Sequence, residues 1–385
     1  MGKICFLTDS IFTIGGVQRV TAVIAKELAK QHDVTIVTMD KPEDKNTTLY
    51  GLNEVSISYR YLSFPSIGKW KKRCCKAYSG LYRKILPKTR LTSKGYSHSS
   101  FPKELRDALV NVLTTDRYDV IVGVHAPLAA RLSSCRSCLP GTRLVGWIHN
   151  SHEALFGKDS LYIGPELRHY YEMQFEQLDA TVVLCHADAI RYPFQTQVIY
   201  NPLTLTPGSP SKGNSHKFLA VGRFSRRHKG FDILIEAFHL FAQRNKDWTL
   251  DIVGEGVEEP LYRELIARYY MERRITIHPF TNDIQRYYSE AQVYVLSSRW
   301  EGFGLVLVEA MAHGLPVVSS DLPTSLEIMG DFGIYFKNGD VGQLAERLEQ
   351  ATLIDWQAKS TEAQEIAQRF KIQNIISQWQ TTLGL

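Results

Sequence analysis

The sequence predicts an α/β protein made of two doubly wound parallel-sheet domains. Short, uniformly apolar, β-rich runs alternate with amphipathic helical stretches along most of the chain, and strands that apolar need covering on both faces, as in a parallel sheet. The alternation stops once, at "NPLTLTPGSPSKGNS" (201–215), and then restarts; a stretch that rich in Pro, Gly and Ser reads as an interdomain linker. The 385 residues leave room for a core on each side of it.

In the first half, "KICFLTD" (3–9) reads as a buried strand, "GVQRVTAVIAKELAKQ" (16–31) as an amphipathic helix and "DVTIVTM" (33–39) as a second strand. Further strands are expected at 118–125, 142–150 and 180–185. After the linker, strands fall at 217–223, 248–254, 274–280, 293–298 and 316–320. Helices separate them at 231–243, up to about 270, at 283–291 and from Gly304. A long final helix is expected over 362–383, within a segment 361–385 that follows the second domain at 216–360. The first domain covers 1–200.

Composition narrows the class. Hydrophobic content of 44% with 22% charged residues suits a globular chain rather than a disordered one. No apolar run approaches the ~20 residues that span a bilayer, and "MGKICFLTDS" enters a strand without a signal-peptide core. A cytoplasmic location is expected. The cysteines at 5, 74, 75, 135, 138 and 185 read as reduced thiols. Cys135 and Cys138 have CxxC spacing, but no second pair follows at zinc-site distance, so their role stays open and no metal is expected.

The net charge of +5 is unevenly spread. No Asp or Glu occurs from Val55 to Lys103, while Arg60, Lys69, Lys71, Lys72, Arg73, Lys76, Arg83, Lys84, Lys88, Arg90, Lys94 and Lys103 crowd that window. Trp70, Cys74, Ala77, Leu81 and Ile85 recur within it at helical steps. A basic helix with such a face suits an anionic membrane surface, each cation contributing about 1 kcal/mol. The alternative is a helix packing that face on its own domain. Nucleic acid is not expected, because no stacking or reading motif accompanies the charge.

Three strand ends carry groups suited to chemistry. After 293–298 comes "SRWEGFGLVLVEA", with Glu301 and Glu309 eight positions apart. Its glycines permit close backbone approach, and the amides that open the next helix suit an anion. Glu309 sits among Leu305, Val306, Leu307, Val308, Ala310 and Met311; an ionised carboxylate there is costly unless it is hydrogen-bonded. A ligand diol such as a ribose would satisfy it, and so would a lysine or amide of the protein. "VGRFSRRHKGF" delivers Arg223, Arg226, Arg227 and Lys229 to the end of the second domain's first strand, where such folds hold phosphate. In the first domain, Gly15-Gly16 opens a helix and His149 ends a strand. The first suits either a phosphate contact or a plain tight turn, and the second is either structural or catalytic.

Together these features resemble family 4 glycosyltransferases, retaining enzymes of GT-B fold, in which two Rossmann-like domains face a cleft. "EGFGLVLVE" matches the family's E-x7-E motif and "VGRF…HKG" its diphosphate element; Gly15-Gly16, His149 and Asn201-Pro202 also fit. The resemblance implies that Arg223 and Lys229 neutralise a nucleotide diphosphate and that the Gly16 amide touches its distal phosphate. It implies that Glu309 holds the ribose, with Gly302, Phe303, Gly304 and Leu305 along the donor. Glu301 and His149 would be the catalytic pair beside the anomeric carbon. The implied reaction moves a hexose or N-acetylhexosamine from a UDP-sugar to a glycan or polyprenyl- or other lipid-linked acceptor, in cell-surface polysaccharide or glycoconjugate synthesis. No metal or other cofactor is implied, and no DxD triplet occurs. A noncatalytic scaffold of the same fold and a sugar-nucleotide epimerase are the alternatives. Gln18 and "HPF" (278–280) depart from the family's usual residues.

Overall fold

A computed structural model describes residues 1–160 and 162–385. The chain forms two compact units, Met1–Pro202 with Ile372–Leu385, and Leu203–Lys371.

Unit 1 opens with β1 (Lys3–Thr8), α1 (Gly16–Ala29), β2 (Asp33–Thr38) and β3 (Ile57–Tyr61). Three helices follow: α2 (Lys69–Lys84), α3 (Arg90–Ser100) and α4 (Lys103–Leu113). Then come β4 (Val120–Val124), α5 (Ala126–Ser133), β5 (Arg143–Trp147), α6 (His152–Phe156) and α7 (Arg168–Phe175). β6 (Ala180–Val183), α8 (His186–Ala189) and β7 (Gln197–Val198) complete this part. The sheet runs β3-β2-β1-β4-β5-β6-β7 with every pair parallel. β1 and β2 bury every residue after the first, and β4 buries all of its residues. This is why they read as continuous apolar runs. β3 alternates instead, leaving Ser58 and Arg60 exposed at the sheet's edge.

Unit 2 contains β8 (Lys217–Val221), α9 (Arg226–Lys229), α10 (Phe231–Ala242), β9 (Thr249–Val253) and α11 (Glu259–Arg268). It continues with β10 (Ile275–His278), α12 (Ile284–Glu290), β11 (Val293–Leu296), α13 (Leu305–Ala312) and β12 (Val317–Ser320). α14 (Pro323–Met329), β13 (Ile334–Phe336), α15 (Val341–Thr352) and α16 (Trp356–Gln368) follow. Its parallel sheet runs β10-β9-β8-β11-β12-β13. A core of Phe218, Leu234, Phe238, Leu250, Ile252, Tyr262, Val295 and Leu348 covers one face.

Two expectations change. The stretch 201–215 is not a free linker: from Leu203 onward it belongs to unit 2. Leu203 N donates to Phe370 O (2.7 Å), Ser211 N to His313 O (3.0 Å) and Gly208 N to His313 Nε2 (3.3 Å). Pro, Gly and Ser there shape an irregular path whose backbone is paired inside one domain. The single final helix is two, α16 and α17 (Ile372–Leu383), separated at 369–371. α17 belongs to unit 1, where Trp379 packs edge-on against Trp147 with ring centroids 4.5 Å apart. Arg143 Nε donates to Thr382 O (2.9 Å) and Thr382 Oγ1 to Gln197 Oε1 (2.5 Å).

In α2 the apolar stripe read from the sequence is not the buried one. Trp70, Leu81 and Ile85 are 78%, 46% and 72% exposed, and Cys74 and Ala77 are exposed too. Tyr82 is buried instead, stacked on Tyr96 (4.7 Å) with its hydroxyl 2.8 Å from Ser93 Oγ.

Candidate active site

In a doubly wound sheet, ligands sit beyond the carboxyl ends of the strands where strand order reverses. In unit 2 that point lies between β8 and β11. The two loops leaving them, 222–230 and 297–304, carry the candidate residues.

Glycine makes their close approach possible. Gly230, with φ 61°, caps α10, and a Cβ there would stand 2.2 Å from Ser297 O. Polar contacts lock the loops together. Arg299 N donates to His228 O (2.7 Å) and Ser297 Oγ to Lys229 O (2.9 Å). Asp232 takes a two-pronged bond from Arg299 (both 2.9 Å) and another from Arg226 Nε (3.0 Å). This clamp was not read from the sequence, although Arg226 and Arg299 lie inside the quoted stretches.

Its result is a buried ion pair, Lys229 Nζ to Glu301 Oε1 at 2.5 Å, with Ser298 Oγ donating to the same oxygen at 2.7 Å. Glu301 is 8% exposed. Burial alone would raise its pKa, but Lys229 and His228 together, through charge and hydrogen bonding, outweigh burial and hold the carboxyl well below its ordinary value. The His228 ring lies 3.7 Å above Trp300, nearly parallel, and its Nε2 stands 3.7 Å from Glu301. Burial, then Lys229, lowers the His228 pKa, so the ring is neutral at neutral pH and Lys229 supplies the positive charge. Arg223 is exposed; no carboxylate pairs with it among the described residues.

Gly304 (φ 87°) caps α13, and Phe303 is buried beside Phe370. Gly302 and Leu305 are half-buried. A short helix started this way presents its first amides without intrahelical carbonyl partners. Glu309 follows, 2% exposed. It accepts from the Tyr288 hydroxyl (3.0 Å) and from Thr204 Oγ1 (3.4 Å). A ligand diol or a lysine or amide of the protein was expected to satisfy this carboxylate; the protein groups that hydrogen-bond it here are hydroxyls. Both carboxylates lie near Tyr294, whose hydroxyl pKa is raised first by burial and then by Glu301 and Glu309.

In unit 1 the order reverses between β1 and β4. Asp40 fixes the loop after β1, accepting from Ile11 N (2.8 Å), Phe12 N (3.2 Å) and Thr38 Oγ1 (2.8 Å). Burial would raise its pKa, and these bonds with that of Ser10 bring it below the ordinary value. Tyr50 holds the Gly15 amide at 2.9 Å, and Gly16, exposed, starts α1. His149 is buried after β5, its ring 4.2 Å from Trp147 and 5.3 Å from His125. Burial, then His125, lowers its pKa well below the ordinary value. Its buried Nε2 has no partner among the described residues. His125 follows β4 at φ 72°, a conformation that strains a residue with a Cβ. The sequence signal for it was the one used for His149, a histidine closing an apolar run.

The described residues contain no group of three His, Cys, Asp or Glu side chains arranged to hold a metal. Cys135 is buried and Cys138 exposed, both as free thiols.

Comparison with known proteins gives a consistent picture. The family described as Glycosyltransferase Family 4 matches residues 14–207, and the one described as Glycosyl transferases group 1 matches residues 215–352. An uncharacterized glycosyltransferase of Haemophilus influenzae is 26% identical over 403 residues, covering 100% of both chains. The crystal structure of TarM superposes with a TM-score of 0.76 at 14% identity, over 100% of this chain and 99% of that one. Anabaena Alr3699/HepE in complex with UDP-glucose gives 0.74 at 22% identity, over 100% of each chain. These similarities establish the GT-B fold of two Rossmann-like domains.

Proposed function

The chain belongs to glycosyltransferase family 4, and from that membership we propose that it is a retaining enzyme moving a hexose or N-acetylhexosamine from a UDP-sugar to a glycan or lipid-linked acceptor. That it is a glycosyltransferase follows from the family. The donor, stereochemistry and acceptor are our reading, as is a place in cell-surface polysaccharide or glycoconjugate synthesis.

One observation carries the reading: Lys229, fixed by Glu301, whose carboxylate also accepts from Ser298, stands at the switch point of unit 2's sheet. The hard event in sugar transfer is departure of the diphosphate from the anomeric carbon. A cation already fixed where that charge develops needs no reorganisation, and removing one such donor commonly costs ~10²–10³ in rate. An ammonium has three donors, so the bond to Glu301 leaves others for phosphate oxygens. Arg223, exposed on the same loop, adds a second cation, and the first amides of α13, past Gly302, Phe303, Gly304 and Leu305, add a partial positive charge. Together they take the part that a metal clamp plays elsewhere, so no cofactor is assigned.

Glu309, oriented by Tyr288, is assigned to the ribose, and the Gly16 amide to the distal phosphate. His149 is assigned to the transferred sugar; a neutral imidazole whose Nε2 lacks a protein partner suits a sugar hydroxyl. Uridine is favoured by the resemblance, and the HepE structure holds UDP-glucose.

No described helix is long and apolar enough to cross a membrane. We assign the enzyme a peripheral position at the inner face of the cell membrane, supported by the exposed Trp70, Leu81 and Ile85 on a helix rich in Lys and Arg.

A panel of nucleotide-sugars, scored by nucleotide release with membrane extract as acceptor source, tests the reading. Acceptor-dependent release of UDP is expected. Release of a different nucleotide removes the donor assignment; interconverted UDP-sugar formed without acceptor identifies an epimerase. Donor binding with no release from any sugar identifies a scaffold.

A further inference from the structure

Unit 1 holds a cavity of about 340 Å³ away from the switch-point loops, lined by α2 and the turn from α3 to α4. Its lining includes Lys72, Lys76 and Arg83 with the hydroxyls of Ser79, Ser99 and Ser100. The cations are four and seven positions apart, so they share one face of α2. Like charges at that spacing repel unless something neutralises them. Several helical cations elsewhere in the chain find carboxylates one turn away: Lys103–Asp107, Arg168–Glu172, Arg263–Glu259 and Arg286–Glu290. Lys71, on another side of α2, binds Glu104 at 2.6 Å. Among the described residues no carboxylate pairs with Lys72, Lys76 or Arg83, and none lines the cavity.

The three cations are exposed, and two further features describe the cavity they border. A Cβ built on Gly80 would meet nothing within 4 Å, so there is room beside it for a larger side chain. Ser79 and Ser99 Oγ lie 2.9 Å apart, bringing hydroxyls of α2 and α3 to one wall. Three cations with no carboxylate among them match the chemistry of a phosphate group. The volume is many times the ~30 Å³ share of one water, enough for a phosphorylated ligand.

We propose that this cavity is a phosphate-binding site, separate from the donor site, for a phosphomonoester or pyrophosphate group. The group is carried either by a membrane lipid or by a soluble molecule. The site stands on unit 1 alone and does not depend on the donor assignment.

Cys75 lines the cavity, whereas Cys74 and Cys138 are exposed outside it. In a Cys74→Ser background, iodoacetamide labelling of Cys75 relative to Cys138 therefore reports occupancy of this site even if a ligand also binds elsewhere. Inorganic pyrophosphate, and separately vesicles containing phosphatidic acid, serve as probes. At least a fivefold slowing of Cys75 labelling by one of them is expected. Protection by both assigns a soluble phosphate as sufficient, and protection by vesicles alone assigns the lipid headgroup. Lys72→Gln/Lys76→Gln should abolish protection, while Arg73→Gln/Lys84→Gln, which removes equal charge outside the cavity, should retain it. Gly80→Leu fills the cavity with all cations kept and should weaken retention of the protective probe by at least tenfold. Protection by neither probe, equal loss in both double variants, or equal protection by phosphatidylglycerol vesicles would overturn the proposal. Vesicle binding without Cys75 protection would remove this site while leaving the membrane assignment intact.

Discussion

At the scale of single residues, the Lys229–Glu301 pair sets both a pH signature and a stability cost. The Glu301 carboxyl is depressed in the folded chain from its ordinary 4.5. Its contribution is therefore fully present above that value and is lost as pH falls through the lower folded one. Glu301→Gln should cost about 3 kcal/mol, because it leaves a largely buried ammonium unpaired. In urea titrations the gap between wild type and variant should be constant from about pH 6 to 8 and narrow below about pH 4.5. A gap that stays constant into strong acid would contradict the depressed carboxyl. Glu309 gives a second expectation. Tyr288→Phe removes a hydroxyl partner that is nearer than Thr204 (3.0 against 3.4 Å), at a cost of about 1–3 kcal/mol. It should also raise the KM for donor, since the carboxylate loses its orientation. Thr204→Val should do less of both; the reverse ranking would show that the longer bond is the important one.

Elements are where sequence and structure diverge in an informative way. The almost wholly buried strands β1, β2 and β4 and the amphipathic α1 were legible, because apolar runs and 3.6-residue spacing report burial directly. β3, β7 and β13 were not: β3 is half-covered at an edge, and the others have only two and three residues. The E-x7-E stretch was legible as a pattern, but not the Asp232 clamp or the Tyr288 partner of Glu309, which arise from tertiary contacts. In α2 the helix was legible and its packed side was not, because Tyr82 outcompetes the aliphatic stripe by stacking and hydrogen bonding at once. This leaves a prediction for the element. Trp70→Ser/Leu81→Ser/Ile85→Ser should lower binding to anionic vesicles by at least tenfold in sedimentation. Exposed positions of this kind should leave stability within about ±0.5 kcal/mol each. Unchanged sedimentation would remove the stripe as a membrane contact.

For the whole molecule, each unit is an open parallel sheet whose reversal point can be located from strand order alone. Short motifs at strand ends can therefore be placed at that reversal point even where their side-chain partners were not foreseen. The chain's return through α17 adds a distant segment to the core of unit 1, with Trp379 fully buried on Trp147. Trp379→Ala should cost unit 1 about 3–5 kcal/mol, seen in calorimetry as a lowered transition. A change below about 1 kcal/mol would mean that α17 is only loosely docked. The central claim is that a cation fixed at unit 2's switch point holds a diphosphate. Calorimetric titration of UDP and of UMP into wild type and Lys229→Met tests it most directly. The expected result is at least a tenfold preference for UDP in wild type that disappears in the variant; a preference that survives loss of Lys229, or its absence from wild type, would contradict the claim.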